Sequence, residues 1–255
     1  MAIIYQVAVA VQVIDDFNDK VLTGAAIQVR IAGGGAKPVR KQDGYFVFLA
    51  GQKEIRQIEV ESPLYHKAVV DIELRRLNPL RPVLKVRLQP NRLYAVPGGA
   101  TYLEGKAEPG SLIHVIPETR QQTLKLLYDY EKGGAGEGRE IRLFRADKKD
   151  LSGKHLAIRA KEQEEPEVFQ VLEMSDPEQG TCVIAAALGK GYKKAGAEIL
   201  SVYTATADSR GDYYLLLPGL EGKDTCDCRV KVATGKAKTV TTQVKPGQGN
   251  RLDLV

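Results

Sequence analysis

Tyr5-Gln6-Val7-Ala8-Val9-Ala10-Val11-Gln12-Val13 sets large apolar side chains on the odd positions and Gln or Ala on the even ones. That period of two belongs to a half-buried strand, whose successive side chains point to opposite faces. The chain then repeats the rhythm. Asp15-Asp16-Phe17-Asn18-Asp19 is rich in turn formers, Ala26-Ile27-Gln28-Val29-Arg30-Ile31 is the next strand, and Gly33-Gly34-Gly35 interrupts again. Asp43-Gly44 supplies a tight turn, because glycine takes a positive φ at little steric cost. It feeds Tyr45-Phe46-Val47-Phe48-Leu49, where the sequence leaves open whether Tyr45 and Val47 or Phe46 and Phe48 face inward. Further strands at 55–61, 68–74 and 83–88 complete an antiparallel sandwich that closes near Pro90.

The remainder is also read as β. Pro97-Gly98-Gly99 and Glu108-Pro109-Gly110 bracket strands at 100–105 and 112–116. In 119–131, Leu124, Leu127 and Tyr128 stand at helical spacing, and the same run also reads as a strand of a long hairpin. A Gly-rich loop near 132–138 precedes strand-like runs at 140–145, 155–160, 168–174, 182–188, 197–205, 213–217, 228–233, 239–244 and 251–255. The expectation is an all-β chain of two β-sandwich domains, 1–90 and 91–255, the second an antiparallel β-rich domain. Asp208-Ser209-Arg210-Gly211-Asp212-Tyr213-Tyr214-Leu215 echoes residues 42–49, through duplication or through convergence on a good turn.

Composition excludes several classes. Lys plus Arg exceed Asp plus Glu by 37 to 32, and the resulting net charge of +5 is too mild to imply nucleic acid. No stretch approaches the roughly 20 apolar residues that span a bilayer, so no membrane insertion is expected. The start lacks the basic region of a signal peptide, and the three cysteines, Cys182, Cys226 and Cys228, are too few and odd for a disulfide scaffold. Both point to a cytoplasmic protein, or to a particle assembled in the cytoplasm.

Chemistry-bearing motifs are sparse. Cys226-Asp227-Cys228 puts two thiols on one face of a strand rather than forming a Cys-x-x-Cys unit, and ordinary core or surface thiols are the better reading. His66, His114 and His155 stand far apart and in no triad or metal motif, and Gly189-Lys190-Gly191 lacks the residues of a phosphate loop. The acidic pairs Asp15-Asp16 and Glu164-Glu165 lack the spacing of a calcium loop and read as solvated turns. No catalytic, metal or cofactor residue is assigned, and the chain is read as no enzyme.

Val11 to Arg30, then Lys41-Gln42-Asp43-Gly44-Tyr45-Phe46-Val47-Phe48-Leu49, then Val60-Glu61-Ser62-Pro63-Leu64-Tyr65-His66-Lys67 give residues 9–90 their likeness to a known group. This stretch resembles the carboxypeptidase regulatory-like and transthyretin-like (Ig-like) sandwich domains. The resemblance implies an accessory module without catalytic residues. More faintly, the whole chain is similar to accessory structural proteins of phage-tail-like contractile injection particles. The expected function is therefore a structural or adaptor protein that docks onto other proteins of a larger assembly, cap or baseplate accessory in its sharpest form, with a homo-oligomer among the arrangements allowed. The alternatives are a surface- or carbohydrate-binding module and, third, an enzyme with an unrecognised site. Two surfaces are candidates for partner binding. One is the start of the first strand, Ile3, Ile4, Tyr5 and Gln6, since a run from Ile3 to Ile14 exceeds the usual five or six residues and leaves a free end. The other is the basic group Arg75, Arg76 and Arg81 near the domain junction, with Lys85, Arg87 and Arg92 beside it.

Overall fold

The computed structural model describes residues 6–24, 26–34, 37–50, 55–74, 77–118, 124–134, 138–161, 165–220, 224–233 and 238–255. The fold is all-β, and the chain divides into compact units Met1–Val96 and Pro97–Val255.

The first unit contains β1 (Val7–Asp15), β2 (Gln28–Ile31), β3 (Val39–Arg40), β4 (Tyr45–Leu49), β5 (Gln57–Glu61), β6 (Ala68–Asp71) and β7 (Val83–Leu88). They form two sheets, ordered β3-β4-β1-β7 and β2-β5-β6. One apolar cluster lies between the sheets: Val9, Val11 and Val13 of β1 and Phe46 and Phe48 of β4 meet Val29 and Ile31 of β2 and Ile58 and Val60 of β5. The open choice on β4 is thereby settled: Phe46 and Phe48 face inward. The alternation legible in residues 9–13 is the burial of these odd positions, while Val7 at the start of the strand is exposed. One expectation needs correction. The first sheet is not wholly antiparallel, because β1 and β7 run parallel from Ala10↔Val83 to Asp15↔Leu88.

The second unit holds two bodies of sheet. β8 (Tyr102–Lys106), β9 (Leu112–Pro117), β16 (Tyr203–Thr206), β17 (Asp212–Leu216), β18 (Cys226–Ala233), β19 (Lys238–Val244) and β20 (Gly249–Arg251) make one facing pair, ordered β16-β9-β18-β19 and β17-β8-β20. Between β9 and β16 the chain inserts β10 (Leu124–Leu126), β11 (Glu140–Arg145), β12 (His155–Ala160), β13 (Glu167–Asp176), β14 (Thr181–Ile184) and β15 (Ala197–Ser201). These make one antiparallel sheet, β10-β11-β14-β13-β12-β15, whose end strands lie side by side so that it curls round its own core. The ambiguous run near 124 is thus strand, with Leu124–Leu126 paired to β11. The second unit is not wholly antiparallel either, since β20 joins β8 in parallel.

Leaving out the insert, both facing pairs follow one path. The first strand pairs antiparallel with the fourth and parallel with the last, while the second pairs with the fifth and the fifth with the sixth. The echo seen in sequence falls on equivalent strands, β4 and β17, and its turn repeats bond for bond. Gly44 donates to the Lys41 carbonyl and Lys41 to that of Tyr45, as Gly211 does to Asp208 and Asp208 to Asp212. Both glycines carry positive φ, 85° and 79°. Only the third strand differs: β3 joins β4, whereas β16 joins β9.

Candidate docking edges

Ile3, Ile4, Tyr5, Arg75 and Arg76 lie outside the described residues. Gln6 does not hang free, because its carbonyl accepts the Ala50 amide at 2.7 Å and so extends the β1–β4 ladder. On the β7 side, the parallel ladder begins only at Ala10. Arg81 is exposed, with its amide bonded to the Asn78 carbonyl. Arg87 leaves the expected basic patch: its side chain is 5% exposed and reaches Asp19 at 2.6 Å and Asp16 at 3.4 Å.

The acids read as a solvated turn have internal work. Asp15 is buried, and its carboxylate accepts the Phe17 amide at 2.8 Å, the Asn18 amide group at 2.9 Å and the hydroxyls of Tyr65 at 3.0 Å and Tyr94 at 2.7 Å. Burial, reinforced by this carboxylate, pushes both phenols up, Tyr94 to about 12. Tyr94 is thereby tied to the first unit, past the boundary expected at 90.

Strand edges are the features with unspent bonding capacity. The Ala32 amide donates to the Gln57 carbonyl, which sets the phase of the β2–β5 ladder. Backbone groups alternate sides along a strand, so Arg30 and Gln28 bond β5 while the N–H and C=O of Val29 and Ile31 point away from it. Among the described residues nothing bonds them there. The equivalent strand β9 is covered on both sides, by β18 and by β16. At the far edge of that sheet the Glu118 amide donates to the Asp227 carbonyl, which turns Arg229 and Lys231 toward β9 and Cys228 and Val230 toward β19. The outward groups of β19 are then those of Thr239, Thr241 and Gln243.

Within the second unit, a charged seam joins the insert to the facing pair. Glu118 bridges Arg159 of β12 at 2.5 Å and Arg229 of β18 at 3.1 Å, Arg159 also holds Glu198 at 3.0 Å, and Glu165 pairs with Arg229 at 2.9 Å and Lys231 at 2.8 Å. Ile116, Ala157, Leu200 and Val202 pack as an apolar cluster at the same junction. His114 of β9 and His155 of β12, far apart in sequence, come together with ring centroids 5.6 Å apart. Burial lowers the pKa of both, His155 to about 4, and Lys231 opposes protonation of His114. Sequence gave no sign of this pair, because only folding brings β9 against β12. Cys182 does not join the other two cysteines: it is in the core of the insert, whereas Cys228 is in that of the facing pair with Cys226 packed against the same cluster. Among the described residues no group of three or more His, Cys, Asp or Glu side chains is placed to hold a metal. No described helix is long and apolar enough to cross a membrane. Comparison with protein families, curated proteins and solved structures returns no significant match to this chain.

Proposed function

We propose that this chain is a structural or adaptor protein that docks onto other proteins, and that the edge of β2 receives an extended segment of a partner. The observation that carries this reading is internal to the molecule. In the second facing pair the corresponding edge is occupied by β16, which runs antiparallel to β9 from Tyr203↔Val115 to Thr206↔Leu112. A partner strand added to β2 would complete the first pair in the same way, its backbone meeting Val29 and Ile31 and its side chains setting specificity. The sharpest form of the reading is an accessory component of a phage-tail-like contractile injection particle; it rests on the resemblance alone. In that setting the residues before Gln6 serve as the arm this chain lends to a neighbour. The test is amide exchange on the native assembly against the isolated chain, with a variant lacking the residues before Gln6 alongside. Slowed exchange at Val29 and Ile31 in the assembly, and weaker assembly of the truncated chain, are the expected results. Unchanged exchange at 28–31, or a chain that purifies alone from its native source, would sink the docking reading.

A carbohydrate-binding role is favoured by one observation, the exposed rings of Tyr128 and Phe144 on the insert, with the Arg142 guanidinium 5.4 Å from the Tyr128 ring centre. Stacking on a sugar would need those rings. Glycan binding abolished by Tyr128→Ala would move the assignment there.

A further inference from the structure

We infer that the outer edge of β19, which no described residue pairs, pairs antiparallel, about a two-fold axis, with the same edge of a second copy of this chain. The inference deepens the docking reading, on which it rests for the general idea of strand addition, but it uses a different edge and a different partner.

The first ground is length and charge. β19 is seven residues long, and its run from Thr239 to Val244 carries no charge. Exposed edges are commonly guarded by charged residues, proline or bulges. Three other edges here follow that rule. β3 is two residues long and ends in Arg40, β6 ends in Asp71, and β7 carries Lys85 and Arg87. β19 carries a charge only at its first residue, Lys238, and its remaining six residues carry none.

The second ground is self-complementarity. In a two-fold antiparallel pair centred on Thr241, that residue faces its own counterpart, and Thr239 faces Gln243. These are the residues whose N–H and C=O point outward, so each donates one bond and accepts one across the axis. Their side chains form Thr–Thr and Thr–Gln pairs, both favourable neighbours on a sheet face. The same operation on β2 would set Arg30 against Arg30. Behind β19, the cations in register with Thr241 and Thr239 are Arg229 and Lys231, and both are held by acids, at Glu118 and Glu165. They offer little repulsion to an approaching copy. Closed two-fold pairing is also the commonest symmetry of homo-oligomers. The result is one continuous sheet in which β16-β9-β18-β19 is followed by its mirror order.

The test uses the full chain. Sedimentation over a range of concentrations should show a reversible dimer. Thr241→Pro removes only an outward N–H and so should leave the β18 ladder and the melting curve intact, and Thr241→Lys places like charges face to face. Each should weaken dimerisation by about tenfold or more, while Thr241→Val keeps it. Should Thr241→Pro unfold the domain, a cysteine scan decides instead. In a hydrogen-bonded pair the Cα atoms stand about 5.5 Å apart, within disulfide range. In a Cys226→Ser background, Thr241→Cys should therefore give a covalent dimer on mild oxidation, and Thr239→Cys should not. A wild-type chain that sediments as monomer throughout, a dimer insensitive to Thr241→Lys, or equal crosslinking at 239 and 241 would overturn the inference. Amide exchange at Val29 and Ile31 in the native assembly is independent of these variants, so the β2 reading stands or falls separately.

Discussion

Gly44 shows how much one residue decides. At φ of 85° it occupies the left-handed region, and a Cβ there would sit 2.8 Å from Cγ1 of Val21. Gly44→Val combines that strain with the clash, and we expect it to destabilise the first unit by about 1–3 kcal/mol. An unchanged urea midpoint for this variant would refute the turn. His155 makes a prediction of another kind. Its imidazole is held neutral by burial down to about pH 4, whereas in the unfolded chain it takes a proton near 6.5. Between those values the unfolded state binds more protons, so its contribution to stability is fully present above about 6.5 and is lost as pH falls toward 4. The loss is at most about 3 kcal/mol. His155→Phe should lessen the fall of the urea midpoint between pH 7 and pH 5, leaving the share that belongs to His114, and an equally steep fall would show that His155 is not its source. The Asp43-Gly44 turn was legible because glycine chemistry is local. The pairing of His114 with His155 was not, because it depends on how the insert packs.

At the scale of elements, alternation marked most strands close to their observed limits, since burial on one face writes a period of two into the sequence. It did not mark partners. The β1–β7 ladder joins residues about seventy positions apart, and nothing in Val83–Leu88 distinguishes a parallel neighbour from an antiparallel one. The repeat was legible only at the Asp and Gly turn, because the rest of β4 and β17 shares burial but not identity. β10 to β15 alternate like their neighbours, so their separate sheet left no trace. Close approach at β20 gives a measurable case. A side chain on Gly105 would run into the Leu252 carbonyl, to which Tyr213 donates its hydroxyl hydrogen bond at 2.5 Å. Gly105→Ala should push β20 off β8, cost about 1–3 kcal/mol, and speed amide exchange at Leu252 and Leu254, whose amides bond Glu104 and Lys106. Preserved exchange rates would mean that the last strand has room to spare.

Across the whole second unit, the insert leaves from Pro117 at the end of β9 and returns at Tyr203 at the start of β16, two strands already paired at Val115↔Tyr203. It therefore occupies the place of a hairpin turn. Replacing residues 119–201 with a short Gly-Ser linker should leave the facing pair folded, at reduced stability because the apolar cluster at Ile116 and Val202 becomes exposed; loss of cooperative melting would show instead that the two bodies fold as one. The parallel pairing of first and last strands has a mechanical consequence. Tension applied through the two ends of the first unit pulls β1 and β7 in opposite directions along their shared axis. Every bond of the ladder from Ala10 to Asp15 is then loaded in shear at once, rather than peeled one at a time. The second unit is built alike, but its parallel ladder spans only Gly249–Arg251 against Tyr102–Glu104. In single-molecule pulling the first unit should rupture at the higher force, and the reverse order would show that the terminal ladders do not bear the load.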